Sequence, residues 1–139
     1  MKKLSLLICA TLFLESCAEL NSVLDSVNKT MEGVSNQNVK PVSGVKICND
    51  FVDNEIMAKK LWNGSHVSIK GKIDSIYQDE WGNSNINVKV NHKTRVLATL
   101  RKGYNTDKLR RGHSVNIKGT VSNVVHSGTC NILLDRASL

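Results

Sequence analysis

Gly64-Ser65-His66-Val67-Ser68-Ile69-Lys70-Gly71-Lys72-Ile73-Asp74-Ser75-Ile76 and Gly112-His113-Ser114-Val115-Asn116-Ile117-Lys118-Gly119-Thr120-Val121-Ser122-Asn123-Val124 repeat one pattern, Val-x-Ile-Lys-Gly-x-(Ile/Val)-x-(Ser/Asn)-(Ile/Val). Apolar β-branched residues at every second position describe strands with one buried face. Each run is long, and each is interrupted by glycine at the same place. A glycine there lets a strand bend or bulge sharply, as closing a small barrel requires.

Working outward, period-two alternation also marks residues 85–90, 95–100 and 129–134, and the two repeated strands are expected over 66–77 and 114–125. Turn chemistry separates the runs, at Trp81-Gly82-Asn83, Asn91-His92-Lys93 and Ser127-Gly128. Residues 105–111 have room for a single helical turn. Ahead of the strands, Phe51, Val52, Ile56, Ala58, Leu61 and Trp62 fall on helical faces, and Asn63-Gly64 supplies a stop, so one helix is predicted over 50–62. Phe51 and Trp62 are expected to pack it onto the sheet. Five strands, two of them long and kinked, with a connection after the third, give a mainly β chain: the five-stranded Greek-key barrel of the OB-fold with a preceding α-helix.

The stretch Phe51-Val52-Asp53-Asn54-Glu55-Ile56-Met57-Ala58-Lys59-Lys60-Leu61-Trp62-Asn63-Gly64, running on into the first repeat, resembles the opening of the tRNA-anti-like OB-fold proteins. In that group a helix bearing Asn-Glu-x-x-Ala leads through a Tyr/Trp-x-Gly turn into a first strand Val-x-Val-x-Gly-x-Ile-x-x-Ile. Leu109-Arg110-Arg111-Gly112 and the second repeat are similar to its fourth strand. The resemblance runs from Phe51 to the C-terminus. It implies a fold, often exported or lipid-anchored in bacteria, and no shared catalytic set.

The N-terminus sets the compartment. Met1-Lys2-Lys3 and an apolar run to Leu14 form a secretory signal too short to span a bilayer as a helix. Leu14-Glu15-Ser16-Cys17 resembles the lipobox of bacterial lipoproteins, with Glu15 where a small or apolar residue is usual. That resemblance implies cleavage after residue 16, lipid on Cys17 and, from Ala18, sorting to an outer membrane facing the periplasm. Leu20, Val23, Leu24 and Val27 share a helical stripe, and a polar stretch with the only proline, Pro41, follows. The expected organisation is a signal peptide over 1–16, a lipidated helix and tether over 17–44, and the OB-fold domain over 45–139. Of the 4 cysteines, Cys9 leaves with the signal and Cys17 takes the lipid. Cys48 and Cys130 remain, as a disulfide in an oxidising compartment or as a buried thiol pair. The four histidines, His66, His92, His113 and His126, show no ligand spacing with either cysteine, so neither a metal nor a cofactor is expected.

Losing Lys2, Lys3 and Glu15 takes the balance of 19 basic and 12 acidic residues to 17 and 11. The excess is concentrated: from Trp81 onward Lys89, Lys93, Arg95, Arg101, Lys102, Lys108, Arg110, Arg111, Lys118 and Arg136 face only Asp107 and Asp135. One-sided positive charge draws polyanions. A nucleophile elbow, a P-loop and a paired-carboxylate motif are missing from the sequence, and Asp79-Glu80 reads as a solvated turn, so no enzymatic activity is expected. The expected function is a non-enzymatic binding or scaffold module, held at the membrane through its N-terminal lipid, for a protein or an anionic envelope polymer. Single-stranded nucleic acid is the alternative partner, since OB barrels combine a basic groove with stacking aromatics. Candidate ligand-binding residues are Trp81, Lys89, Lys93, Arg95, Arg101 and Lys102. Charge is plentiful in that set and stacking is thin, with only Tyr77, Trp81 and Tyr104 near the relevant strands.

Overall fold

The computed structural model describes residues 38–139; the expected signal, Cys17 and the tether up to residue 37 lie outside the described residues. The elements run β1 (Lys40–Pro41), α1 (Gly44–Asp53), α2 (Glu55–Trp62), β2 (His66–Gln78), β3 (Ser84–Lys89), β4 (Thr94–Leu100), β5 (Ser114–Ser127) and β6 (Thr129–Ser138). Neighbours in the sheet are β1-β2-β3-β4-β6-β5, and β5 returns to pair with β2. That last pairing closes five strands into a barrel. β4 and β6 are parallel, and the other barrel pairs are antiparallel. This is the OB-fold arrangement that the alternating runs imply.

Closure depends on the two long strands changing partner. β2 pairs with β5 from His66 to Lys72 and with β3 from Lys72 to Gln78. At the crossover stands Gly71, where a Cβ would lie 2.5 Å from Val88 Cγ1 and 2.8 Å from the carbonyl oxygen of Lys89. Only a residue without a side chain lets β3 come that close. Its repeat partner, Gly119, lies against a bulge in β6, where a Cβ would meet the Asp135 carbonyl at 3.1 Å. The extra residue of that bulge is Arg136, with φ 51°.

Alternate residues fill the interior: Val67, Ile69 and Ile73 from β2, Ile86 and Val88 from β3, Val96 and Leu100 from β4, Ile117 and Val121 from β5, Ile132 and Leu134 from β6. Ile47, Cys48 and Phe51 of α1 join this core, and so do Ala58 and Trp62 of α2. Phe51 and Trp62 therefore hold the packing role expected of them. The expected single helix over 50–62 is two: helical structure begins at Gly44 and breaks at Asn54, whose φ of −159° is extended backbone. The Asn54 side chain accepts from the Met57 amide at 3.1 Å, so the residue ends one helix by its backbone and starts the next by its carboxamide. Ahead of α1, Lys40–Pro41 pairs in parallel with Val67 and Ser68 of β2, inside the stretch expected to be tether. Cys48 and Cys130 form a disulfide that ties α1 to the start of β6.

Candidate ligand-binding surface

The six candidates separate into two groups, because β3 and β4 run antiparallel. Asn85 is opposite Thr99 at one end of this ribbon, and Lys89 is opposite Arg95 at the other. Trp81 in the β2–β3 turn and Arg101 and Lys102 just beyond β4 share the first end. Lys89, Arg95 and the turn residue Lys93 share the second. The span of β3 between them is ~17 Å at ~3.3 Å per residue.

At the first end Trp81 is 83 % exposed. Its loop is organised by Asp79: Oδ1 accepts from the backbone amides of Trp81 at 3.0 Å and Asn83 at 2.8 Å, and Oδ2 accepts from the side chains of Asn83 at 3.0 Å and Asn85 at 3.2 Å. Partial desolvation pushes the Asp79 carboxyl up, but the hydrogen bonds from Asn83, Asn85 and Trp81 together outweigh it and hold the group below the ordinary carboxylate value. Asn85 in turn accepts from the Thr99 hydroxyl at 2.8 Å, so the loop is fastened to β4. The acidic pair that reads as a solvated turn is thus, through Asp79, the frame on which the exposed Trp81 ring stands. The spacing of Asp79, Asn83 and Asn85 around a glycine was the signal. Tyr77 is half exposed on the same side, whereas Tyr104 packs against the core and accepts from the Leu139 amide at 3.3 Å. Beyond β4, Arg101, Lys102 and Arg136 rim an open cleft with Asp135.

At the second end the register places Lys72, Lys89 and Arg95 abreast on β2, β3 and β4. Residues directly opposite in antiparallel strands present side chains to one face, so three cations sit side by side where like charges cost stability. Asp74, in the bulge of β2, is the nearby counter-charge, 3.9 Å from Arg95 and 3.6 Å from Arg111. Lys70, two residues before Lys72, is exposed on the same face. Neither Lys70 nor Lys72 stands out in the sequence as a charge, yet both occupy the polar phase of a period-two strand. Among the described residues no group of three His, Cys, Asp or Glu side chains could hold a metal ion.

A model of the tRNA_anti-like family matches residues 1–136, nearly the whole chain. The chain belongs to the tRNA_anti-like family. A solved structure from Klebsiella pneumoniae subsp. pneumoniae MGH 78578, described as a "putative nucleic acid-binding lipoprotein", is similar over 77 % of this chain and 94 % of that one, with TM-score 0.55 and 20 % identity. That likeness shows the shared fold. No curated protein matches the sequence. In this tRNA_anti-like barrel the ring and the cationic row therefore stand at opposite ends of the β3–β4 ribbon.

Proposed function

We propose that the protein is a lipoprotein of a bacterial envelope, fastened through Cys17 to the outer membrane and facing the periplasm, whose OB barrel is a non-enzymatic binding module for an anionic envelope ligand or an acidic protein. The row Lys72–Lys89–Arg95 carries this reading. Three cations set side by side against their mutual repulsion make a surface whose free energy falls when an anion arrives. The signal and lipobox-like start support the anchor, and the lipoprotein description of the Klebsiella structure agrees with it. Two or three acyl chains give lasting attachment, which leaves recognition to the barrel.

Purified protein should be retained on immobilised lipopolysaccharide at low salt and released as salt rises. The charge reversals Lys89→Glu and Arg95→Glu together should cut retention at least tenfold. Wild-type protein flowing through at about 20 mM salt would rule out the anionic envelope ligand and leave the acidic protein. The anchor is tested separately: a fatty-acid label should enter the wild-type chain and be lost in Cys17→Ala.

Single-stranded nucleic acid is a second reading, favoured by the exposed ring of Trp81 and by the nucleic acid-binding description of the Klebsiella structure. It requires salt-dependent binding of an oligothymidylate that Trp81→Ala weakens about tenfold, since one stacked base contributes ~1–3 kcal/mol.

A further inference from the structure

Where β2 changes partner the barrel surface is left open. β3 ends at Lys89, and Val90 turns away to bond the Thr94 carbonyl at 3.0 Å, so the first half of β2 has β1 along that edge instead. Two clefts of about 530 and 600 Å³ lie here and share Lys70 and Val90, which makes them one groove. Its cationic wall is Lys70, Lys72 and Lys89, and none of the three joins an ion pair among the described residues. Among the described residues no carboxylate lines either cleft.

The neutral polar groups point to the same chemistry. Asn91 lines the groove; its Oδ1 accepts from the amides of Lys93 and Thr94, both at 2.8 Å, so its NH2 is the group still able to donate to a ligand. Asn116 and Ser114 of β5 add donors opposite Lys70 and Lys72. Val42 and Val90 supply an apolar wall, and among the described residues no aromatic ring lines the groove. A cavity rich in donors, with ammonium groups as point charges, suits an acceptor-only anion such as phosphate. Without a ring to stack on, the body carrying the phosphate is a sugar or a polyol and not a nucleobase.

The geometry points to the groove between Lys70, Lys72, Lys89 and Asn91 as a binding site for a phosphate ester of a sugar or glycerol, presented free or as a lipid headgroup. It rests on the reading of the barrel as an anion-binding module, and it lies away from the Trp81 end of the β3–β4 ribbon.

The test is amide chemical-shift mapping on the isotopically labelled mature chain, titrated with glycerol 3-phosphate, with N-acetylglucosamine 1-phosphate and with phosphatidylglycerol vesicles. Shifts centred on Gly71, Asn91 and the Asn116 side chain are expected. Lys70→Gln with Lys72→Gln should weaken binding at least tenfold with an unchanged melting temperature, and Lys60→Gln with Lys108→Gln, two exposed lysines outside the groove, should leave it within about twofold. A response to the soluble esters marks a free ligand, and a response to vesicles alone marks a headgroup; either supports the site. Silence from all three probes at these positions overturns it, as does an oligothymidylate that perturbs the same positions more strongly. Retention on immobilised lipopolysaccharide, measured in parallel, separates the two levels. Retention without groove shifts sinks the groove alone, and loss of retention sinks the reading of the barrel as a module for an anionic envelope ligand.

Discussion

At Asp79 four hydrogen bonds converge on one carboxylate, and the charge is what makes that arrangement favourable. Because the folded chain holds this group below its ordinary value of 3.8, the unfolded chain binds the proton more readily. The contribution is therefore complete above pH ~4 and is lost as pH falls through the lower folded value. A fluorine label on Trp81 should report one ordered loop at neutral pH and a broadened resonance in acid. Asp79→Ala should look acid-like at every pH; an ordered loop in that variant would mean other contacts hold the ring. Gly71 makes a second residue-scale case. The repeat marks it as a kink, and the structure adds the reason, a backbone oxygen 2.8 Å from where a Cβ would be. Gly71→Ala should cost about 1–3 kcal/mol in urea unfolding, since the contact is to backbone and has little room to yield. A loss under ~0.5 kcal/mol would show that β3 can shift. Outward-facing charges were harder to read: periodicity tells that Lys70 and Lys72 face out, but not that Lys89 and Arg95 stand beside them.

The strands were legible element by element because burying one face imposes period two on the sequence, and all five observed barrel strands begin within one residue of expectation. The helices were not. Apolar residues recur at helical spacing from Ile47 through Trp62, so periodicity runs straight across Asn54 and hides the break. The cue was Asn54 itself, an N-cap residue followed by Glu55 in the first turn. If the carboxamide is what starts α2, Asn54→Ala should cost about 1 kcal/mol. Asn54→Asp should restore most of it, since aspartate caps equally well and its charge favours a helix start. Equal stability of the alanine variant and wild type would leave α2 held by packing of Ala58 and Trp62 alone. Asp50 joins the two helices in another way. Hydrogen bonds from Lys46 and from the Trp62 indole, at 2.9 Å each, hold its carboxyl below the usual range, so this link also weakens only in acid.

For the whole molecule, the order in which strands meet lies beyond what local pattern can tell, since alternation fixes faces and not neighbours. It was reached through the repeat, because two kinked strands of equal design suit a barrel in which each spans two partners. The pairing of Cys48 with Cys130 is likewise a global fact, the two standing 82 positions apart in sequence with 6.0 Å between their Cα atoms. The bridge joins the helical segment to the sheet, so it acts on how the parts stay together more than on either part. Chain entropy for so long a loop puts its contribution near 4 kcal/mol, an upper figure if the reduced chain keeps structure. The barrel has its own closed ladder and core, whereas α1 is held by Ile47, Phe51 and the bridge. Cys48→Ser with Cys130→Ser should therefore lower the unfolding free energy by about 2–4 kcal/mol. Amide exchange should show where the loss falls: Ile47–Phe51 should open in a local step well below the global one, while Ile69 and Ile117 keep exchange limited by global unfolding. Uniform acceleration across helix and barrel would instead mean that α1 and the barrel unfold as one unit and that the bridge stabilises the sheet itself.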